Sequence, residues 1–270
     1  MKNTTSRVKA DKEEGMRVVI DFDNDIGKIP FQKIGALNHA VSGWLYSSFF
    51  QNGDYIKKVH DEGKIVGKKS VKPFVFAVYQ SKKGMKVKIA SVDGEFLANV
   101  LGSVNMQTAF VFEGKRFMPK SIRALTKQAL QFVPAGSDGN LAKASLFCLS
   151  PVVLRTREGK YAVVNEDGNN ETIDRMIMDN AIRKYEAVSG KKLENAWLKA
   201  WFHHPVTGKT QFKGYKTEFT KSRMTIITNP ELLHIIHSNG MGCKNAMGFG
   251  MVEMQNQINF KENIKKEATI

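Results

Sequence analysis

Hydrophobic and polar positions alternate along some stretches of the chain and recur at helical spacing along others. Residues 16–22 (MRVVIDF) alternate and are β-branched, which predicts a strand. Apolar side chains between His39 and Phe50 recur every three or four positions, which predicts a helix there with Asn38 as its N-cap. The pattern then predicts a hairpin of strands at 72–79 and 86–92, a short helix at 95–101, and strands at 108–112 and 115–121.

The same order of elements recurs in the second half of the chain. A turn-rich stretch, PAGSDGN at 134–140, separates the halves and predicts a linker. The expected elements after it are a strand at 146–155, an amphipathic helix at 171–188, strands at 196–203 and 209–228, a helix at 230–238 and a strand at 250–255. Asn229 is the expected cap of the last helix, with Pro230 in its first turn.

Each half therefore follows the order β-α-β-β-α-β, which is typical of a ferredoxin-like domain. We predict an α+β protein made of two tandem ferredoxin-like (βαββαβ) domains with antiparallel sheets. The expected boundaries are 16–137 for the N-terminal domain and 138–270 for the C-terminal domain. Residues 1–15 are polar and aperiodic, which predicts a disordered leader.

The net charge of the chain indicates which class of binding partner to expect. The 270 residues include 41 Lys and Arg against 26 Asp and Glu, a formal net charge of +15. Such an excess favours a polyanion as the binding partner. Nucleic acid is the first candidate and an anionic membrane surface is the second. Residues 57–88 alone hold ten lysines and two acids. The predicted helix at 39–50 has no Lys or Arg, which argues against a membrane-surface helix.

The sequence gives little support for a metal site, a disulfide framework or secretion. Two cysteines, Cys148 and Cys243, are too few for a disulfide framework or a structural zinc site. His234 and His237 are spaced to share a helix face, but no Cys or carboxylate stands beside them at a useful spacing, so we expect core or surface roles. No signal peptide or long apolar run is present, and a reducing cytoplasm is the expected location.

The densest glycine signal lies between the last predicted helix and the last predicted strand. Residues 240–250 (GMGCKNAMGFG) contain four glycines, Gly240, Gly242, Gly248 and Gly250, with Lys244 and Asn245 among them. Successive backbone N–H groups in such a segment can form an anion-binding nest. A tight connection into a packed strand would need the same residues. The sequence leaves both interpretations open.

This glycine-rich stretch, within NGMGCKNAMGFGMVEM at 239–254, resembles the C-terminal motif of a known family. The family is the CRISPR-associated endoribonucleases of the RAMP superfamily, which cut repeat RNA into guide RNAs. Four further segments resemble the family in the same order, namely LNHAVSGWLYSSF at 37–49, YIKKVHDEG at 55–63, VKPFVFAVY at 71–79 and LFCLSPVVL at 146–154. The resemblance implies two ferredoxin-like domains, as the pattern of elements does independently.

By position, the resemblance implies that His60 is the general acid or base, with Tyr46 and Lys72 completing the site. Other family members carry the histidine on the first helix, where His39 stands here, so His39 is the alternative. The implied reaction is metal-independent cleavage by the RNA 2′-OH, leaving a 2′,3′-cyclic phosphate and a 5′-OH, with no cofactor. RNA contacts are expected from the six loop residues named above and from Lys68 and Lys69.

The expected partner is CRISPR repeat RNA (pre-crRNA and its crRNA product), bound by a monomer or homodimer. Two alternatives remain open. The chain could be a RAMP subunit that binds RNA without cutting it in an effector complex with other subunits, or an unrelated basic RNA-binding protein. The combination of His60, Tyr46 and Lys72 favours the nuclease, because a non-catalytic subunit would not need it.

Overall fold

The computed structural model describes residues 17–50, 64–66, 69–125, 130, 132–137, 139–156, 158–164, 171–212 and 214–255. The predicted leader and His60 lie outside these ranges. The described residues form four α-helices: α1 Phe31–Phe50, α2 Gly94–Ser103, α3 Glu171–Ser189 and α4 Pro230–Asn239. The strands of the first half are β1 Arg17–Phe22, β2 Lys64–Val66, β3 Lys69–Val71, β4 Phe74–Ser81, β5 Gly84–Ser91, β6 Phe110–Phe112, β7 Lys115–Phe117 and β8 Pro119–Leu125. Those of the second half are β9 Val133–Ala135, β10 Leu141–Cys148, β11 Leu154–Arg155, β12 Tyr161–Ala162, β13 Leu198–Phe212, β14 Tyr215–Thr228 and β15 Val252–Met254.

Two antiparallel sheets organise the molecule. The first has the order β4-β5-β1-β8 and the second the order β13-β14-β10-β15, with β9 also paired to β10. Within each unit, taken along the chain, the strands are thus arranged second-third-first-fourth. That arrangement with two helices on one face is the ferredoxin-like fold. The predicted α+β class with two tandem ferredoxin-like units is confirmed.

Each unit has its own apolar core between sheet and helices. The first is rich in aromatic side chains, and Phe22, Trp44 and Phe110 meet there at ring-centroid distances of 5.3 to 6.3 Å. The second is mainly aliphatic, with residues of β10, β13 and β14 packed against α3 and α4. The cores form because alternate strand residues and one face of each helix are apolar.

The second unit covers part of the face of the first sheet that its own helices leave open. Val75, Ala77 and Ala90 of that face pack against Met251. The Arg17 guanidinium forms a buried ion pair with Glu253, which also accepts a bond from Lys88 Nζ at 2.8 Å. Because both faces of β1 are therefore covered, this strand is buried along nearly all its length. The two units are joined by polar as well as apolar contacts.

Of the two predicted helix caps, Asn38 is wrong, whereas Asn229 is the N-cap residue of α4 as predicted but makes no side-chain capping hydrogen bond. Helix α1 begins at Phe31 rather than His39, so Asn38 lies inside the helix, where it is buried. Its amide Nδ2 donates to the carbonyl of Gly248 at 3.0 Å instead of capping its own helix. Asn229 precedes α4, with Pro230 in the first turn as expected, but its Oδ1 accepts a bond from the Trp197 N–H at 2.8 Å. Both asparagines hold distant segments together.

Three predicted strand regions also differ. The single strand expected at 146–155 is two, because β10 ends at Cys148 and β11 begins at Leu154. The residues expected as two strands at 108–121 form a separate hairpin, β6 with β7, and then β8 in the sheet. The expected linker at 134–140 overlaps β9, whose pairing with β10 brings the chain into the second sheet already at Val133. The boundary near 137 stays a prediction.

Candidate functional site

The glycine loop, residues 240–250, connects α4 to β15 and is folded tightly against its surroundings. The Met241 N–H donates to the Gly250 carbonyl at 2.7 Å, which closes the loop on itself. The N–H groups of Cys243 and Gly250 donate to Val153 and Pro151 at 2.9 and 2.7 Å. Those of Met247, Gly248 and Phe249 donate to carbonyls within the loop. These six N–H groups therefore serve the fold, which favours the tight-connection interpretation for them.

Two glycines show why side chains are excluded from this loop. Gly250 has φ +79°, and a Cβ there would lie 2.0 Å from the Met241 carbonyl oxygen. A Cβ on Gly248, at φ +82°, would lie 2.6 Å from the Asn38 side chain and 2.8 Å from the Phe76 ring. Glycine at position 248 therefore lets the loop approach α1 and β4, and glycine at position 250 lets the loop close on Met241. Gly240 and Gly242 also have positive φ angles.

Two buried polar side chains stabilise the interior of the loop. Asn245 Nδ2 donates to the carbonyls of Met241 and Phe249 at 3.2 and 3.0 Å. Lys184 of α3 donates from Nζ to the carbonyls of Gly240 and Gly242 at 2.5 and 3.0 Å. Burial lowers the pKa of Lys184 to about 7, against a smaller raising effect of Cys243. Nothing in the sequence distinguished Lys184 from an ordinary helix-surface lysine.

Lys244 differs from Asn245 because its side chain leaves the loop. Its Nζ donates to Thr217 Oγ1 at 2.8 Å and lies 5.4 Å from the centre of the Tyr161 ring. The Arg155 guanidinium lies 5.2 Å from the same ring. We call Arg155, Tyr161, Thr217 and Lys244 the tyrosine–cation cluster. Burial raises the pKa of Tyr161, but hydrogen bonds with Thr217 and Lys244 and the two nearby cations outweigh it, so the pKa is lowered overall.

Helix α1 carries two of the predicted catalytic residues. Tyr46 is half-buried and its ring meets the edge of Phe74 of β4 at a centroid distance of 6.4 Å. Burial raises the pKa of Tyr46 to about 12, so the phenol keeps its proton near neutral pH. His39 is exposed and precedes Tyr46 by seven positions, or nearly two full helical turns, so both residues share one helix face.

The segment between α1 and β4 holds the other predicted residues. Lys72 is half-buried and lies between β3 and β4, two positions before Phe74. The Tyr46–Phe74 contact therefore brings the helix tyrosine beside the strand that Lys72 precedes. Lys69 begins β3, whereas His60 and Lys68 lie outside the described residues. The backbone of β2 and β3 packs alongside α3 of the second unit.

Helix α1 links the glycine loop to these residues. The Asn38 bond to Gly248 fixes one turn of the helix against the loop. Tyr46 lies eight positions further along, about 12 Å at 1.5 Å per residue.

Sequence reasoning chose Lys244 but missed Arg155, Tyr161 and Thr217. These come from separate segments, and only the fold brings them together.

The two histidines of α4, His234 and His237, were expected to have core or surface roles. His237 is buried at the contact between the two units, and burial together with Arg17, His234 and Lys88 lowers its pKa well below the usual value. The expected core placement of His237 is confirmed.

Across the described ranges, no three His, Cys, Asp or Glu side chains are grouped as metal ligands would be. None of the described helices is long and apolar enough to cross a membrane.

Comparison with known proteins supports the resemblance found in the sequence. Residues 139–254 match the model of the family described as CRISPR associated protein Cas6, C-terminal. The second unit therefore resembles a Cas6 C-terminal domain, and the resemblance to the CRISPR-associated RAMP proteins is confirmed for that unit. Among curated proteins, a sequence search finds no significant match.

Solved structures resemble the whole described fold. A Cas6-related protein from Pyrococcus furiosus is 18% identical, with a TM-score of 0.68 over 90% of this chain and 99% of that chain. A RAMP protein that binds different RNA substrates is 16% identical, with a TM-score of 0.68 over 89% of this chain and 100% of that chain. A Cas6 product complex is 14% identical, with a TM-score of 0.59 over 89% and 100%. At these identities the likeness supports the fold of both units.

Proposed function

We propose that this protein is a metal-independent endoribonuclease that cuts CRISPR repeat RNA to produce guide RNAs. The resemblance of the second unit to a Cas6 C-terminal domain, the likeness of both units to Cas6 structures and the net charge of +15 support this function. The observation that carries the nuclease assignment is the contact of Tyr46 with Phe74 at 6.4 Å, which joins the helix tyrosine to the strand preceded by Lys72. Tyr46 thus lies in a helix that contacts β4, and Lys72 lies two positions before the first residue of that strand.

The proposed reaction is an internal transfer at one phosphodiester. The 2′-oxygen bonds to phosphorus as its proton leaves, and the bond from phosphorus to the 5′-oxygen breaks as that oxygen gains a proton. The products are a 2′,3′-cyclic phosphate and a 5′-OH. Such a step needs proton transfer and stabilisation of the charge that develops on the phosphoryl oxygens.

Each proposed catalytic residue has one role. His60 transfers a proton, for which histidine suits neutral pH, and which contributes about 10²–10⁴-fold in rate. Lys72 stabilises the developing negative charge. Tyr46 donates a hydrogen bond that orients the 2′-OH. Its pKa of about 12 supports a donor role, because the phenol remains protonated. His39 is the alternative proton-transfer residue.

RNA binding is proposed to depend mainly on phosphate contacts. Lys244 and the lysines that precede Lys72 along the sequence, including Lys68 and Lys69, supply positive charge. The four glycines and Asn245 shape the loop from which Lys244 projects. Affinity should therefore fall steeply as salt concentration rises.

Cleavage of a repeat RNA from the same genome, in excess EDTA, tests the proposal. Wild type is compared with His60→Ala and His39→Ala, and with an RNA carrying a 2′-deoxy nucleotide at the cut. A single cut that persists in EDTA, and is lost with His60→Ala and with the deoxy RNA, is expected. Loss with His39→Ala alone would move the proton-transfer role to α1.

A non-catalytic RNA-binding subunit is the second candidate. It is favoured by the likeness to a RAMP protein described only as binding different RNA substrates. Tight binding of the matched repeat without any cut by wild type would support it and contradict the nuclease proposal.

A further inference from the structure

The tyrosine–cation cluster contains two cations, Arg155 and Lys244, whose described partners are not acidic. Half-buried Lys86, Lys88 and Lys199 all form ion pairs with carboxylates. Within the described part of the chain, neither Arg155 nor Lys244 pairs with one; their polar partners are the Gly159 carbonyl and the Thr217 hydroxyl. Two cations near one ring, with no carboxylate among the described residues paired to either, form a locally positive site suited to an anion.

The cluster is held in place by the fold. Thr217 is buried in β14, and Tyr161 packs beside Val153 and Phe219. Lys244 has a left-handed backbone, φ 60°, fixed between hydrogen-bonded loop residues. The Arg155 guanidinium donates through Nε and Nη2 to one carbonyl at 3.0 and 2.9 Å. Its position is thus determined by the hairpin of β11 and β12.

The cluster lies at the opposite end of α1 from Tyr46. Tyr161 shares an apolar cluster with Phe31 and Ile34, and Phe31 meets Phe219 at a centroid distance of 5.3 Å. Tyr46 follows Phe31 by fifteen positions, which is about 22 Å along the helix. That distance corresponds to about six nucleotides of a stacked strand at 3.4 Å each, and to fewer of an extended one.

We infer that the tyrosine–cation cluster binds one backbone phosphate of the substrate RNA. The cluster lies at the Phe31 end of α1, and the proposed cleavage site lies at the Tyr46 end, about 22 Å further along the helix axis. Arg155 and Lys244 supply the charge, while Tyr161 and Thr217 hold the lysine. The inference rests on the proposed function, because it takes RNA as the ligand. Its consequence is that α1 sets the spacing between the anchored phosphate and the cut.

Binding to a 2′-deoxy repeat, which cannot be cut, tests this inference separately from cleavage. Lys244→Ala and Arg155→Ala are compared with Lys191→Ala, which removes the same charge at an exposed position outside the cluster. Each cluster variant should weaken binding about tenfold more than the control, since a charge-assisted contact is lost. Equal effects of all three substitutions would overturn the inference.

A methylphosphonate scan of the RNA identifies the phosphate. Neutralising one phosphate, within about six nucleotides of the cut, should weaken binding by wild type but not by the Arg155→Ala, Lys244→Ala double variant. Tyr161→Phe, which keeps the ring and loses the hydroxyl, should have a smaller effect than Lys244→Ala. If no phosphate loses its effect in the double variant, the cluster is not a phosphate site, even where wild type still cuts.

Discussion

The two ferredoxin-like units share one strand order but differ in the length of the hairpin formed by their second and third strands. The hairpin β4–β5 of the first unit has strands of 8 residues each, whereas β13 and β14 of the second have 15 and 14. The longer hairpin extends beyond its own sheet to α1 of the first unit, where the Thr210 hydroxyl accepts a bond from the Gly35 N–H at 2.8 Å. The glycine loop, also from the second unit, reaches the same helix through Asn38.

This difference shows that the second unit positions part of the first. Helix α1 is held by the hairpin near its start and by the loop a turn later, and it carries His39 and Tyr46 further along. Residues of the proposed reaction thus lie in the first unit, while contacts from the second fix the helix that bears two of them. Removing these contacts one at a time should separate the contributions of loop, hairpin and ion pair.

The largest effect is expected from Gly250→Ala in the glycine loop. The new Cβ would lie 2.0 Å from the Met241 carbonyl oxygen in a buried backbone with φ +79°. We expect a loss of more than about 4 kcal/mol in the free energy of unfolding, measured by urea denaturation. Gly27→Ala is the matched control, because Gly27 has φ +69° but nothing within 4 Å of its Cβ position. Its cost should be only about 1–2 kcal/mol. Equal losses would show that backbone strain alone, and not the loop contact, is being measured.

The next effect should come from Gly35→Ala, where α1 meets the long hairpin. A Cβ at Gly35 would lie 1.9 Å from the Gln211 carbonyl oxygen, so helix and hairpin must separate. We expect destabilisation of about 3 kcal/mol and slower RNA cleavage. Gly43→Ala in the same helix has no atom within 4 Å and should stabilise the protein by about 1 kcal/mol. Thermal denaturation of both variants checks the opposite signs. A destabilised Gly43→Ala would contradict this account.

Glu253→Gln tests the ion pair between the units. The change leaves the Arg17 guanidinium buried without its carboxylate and removes the acceptor charge for Lys88. A loss of about 3 kcal/mol is expected by denaturant titration, because an unpaired buried charge is costly. Glu218→Gln, which breaks an exposed pair with Lys209, should cost less than about 1 kcal/mol. Similar losses for both variants would show that burial of the first pair is unimportant.

The sequence predicted the architecture because its apolar periodicity is local and regular. The hairpin around Gly84 and helices α2 and α3 lie close to their expected positions. The start of α1 was missed because Gly35 and Asn38 are poor helix formers, yet both are needed for contact with the second unit. Tertiary contacts here outweigh local preference.

The candidate site was less predictable than the fold. The glycine loop was found, but its N–H groups were expected as possible anion ligands, whereas six of them bond within the protein. Arg155, Tyr161 and Thr217 stand in separate segments of the chain, and no short motif joins them to Lys244. Lys184 has no sequence signal either, because its burial depends on where α3 meets the loop.

The smallest predicted effect is a change in pH dependence at Lys184. Its folded pKa of about 7 is below its ordinary value of 10.5, so between these values the unfolded chain binds more protons than the folded one. The free energy of unfolding of the wild type should therefore contain a contribution from Lys184 that increases with pH above about 7. The increase is at most about 1.4 kcal/mol per pH unit. Lys184→Met should lack this contribution, whereas the exposed control Lys191→Met should retain it. Denaturant titrations from pH 6.5 to 8.0 measure the difference. They stay below the ordinary Cys pKa of about 8.5, above which the pKa of Cys243, raised by burial in the folded protein, would add an opposite trend. Parallel pH profiles for Lys184→Met and wild type would mean that the lysine remains charged on the loop carbonyls, and that its role there is to fix the loop at every pH in this range.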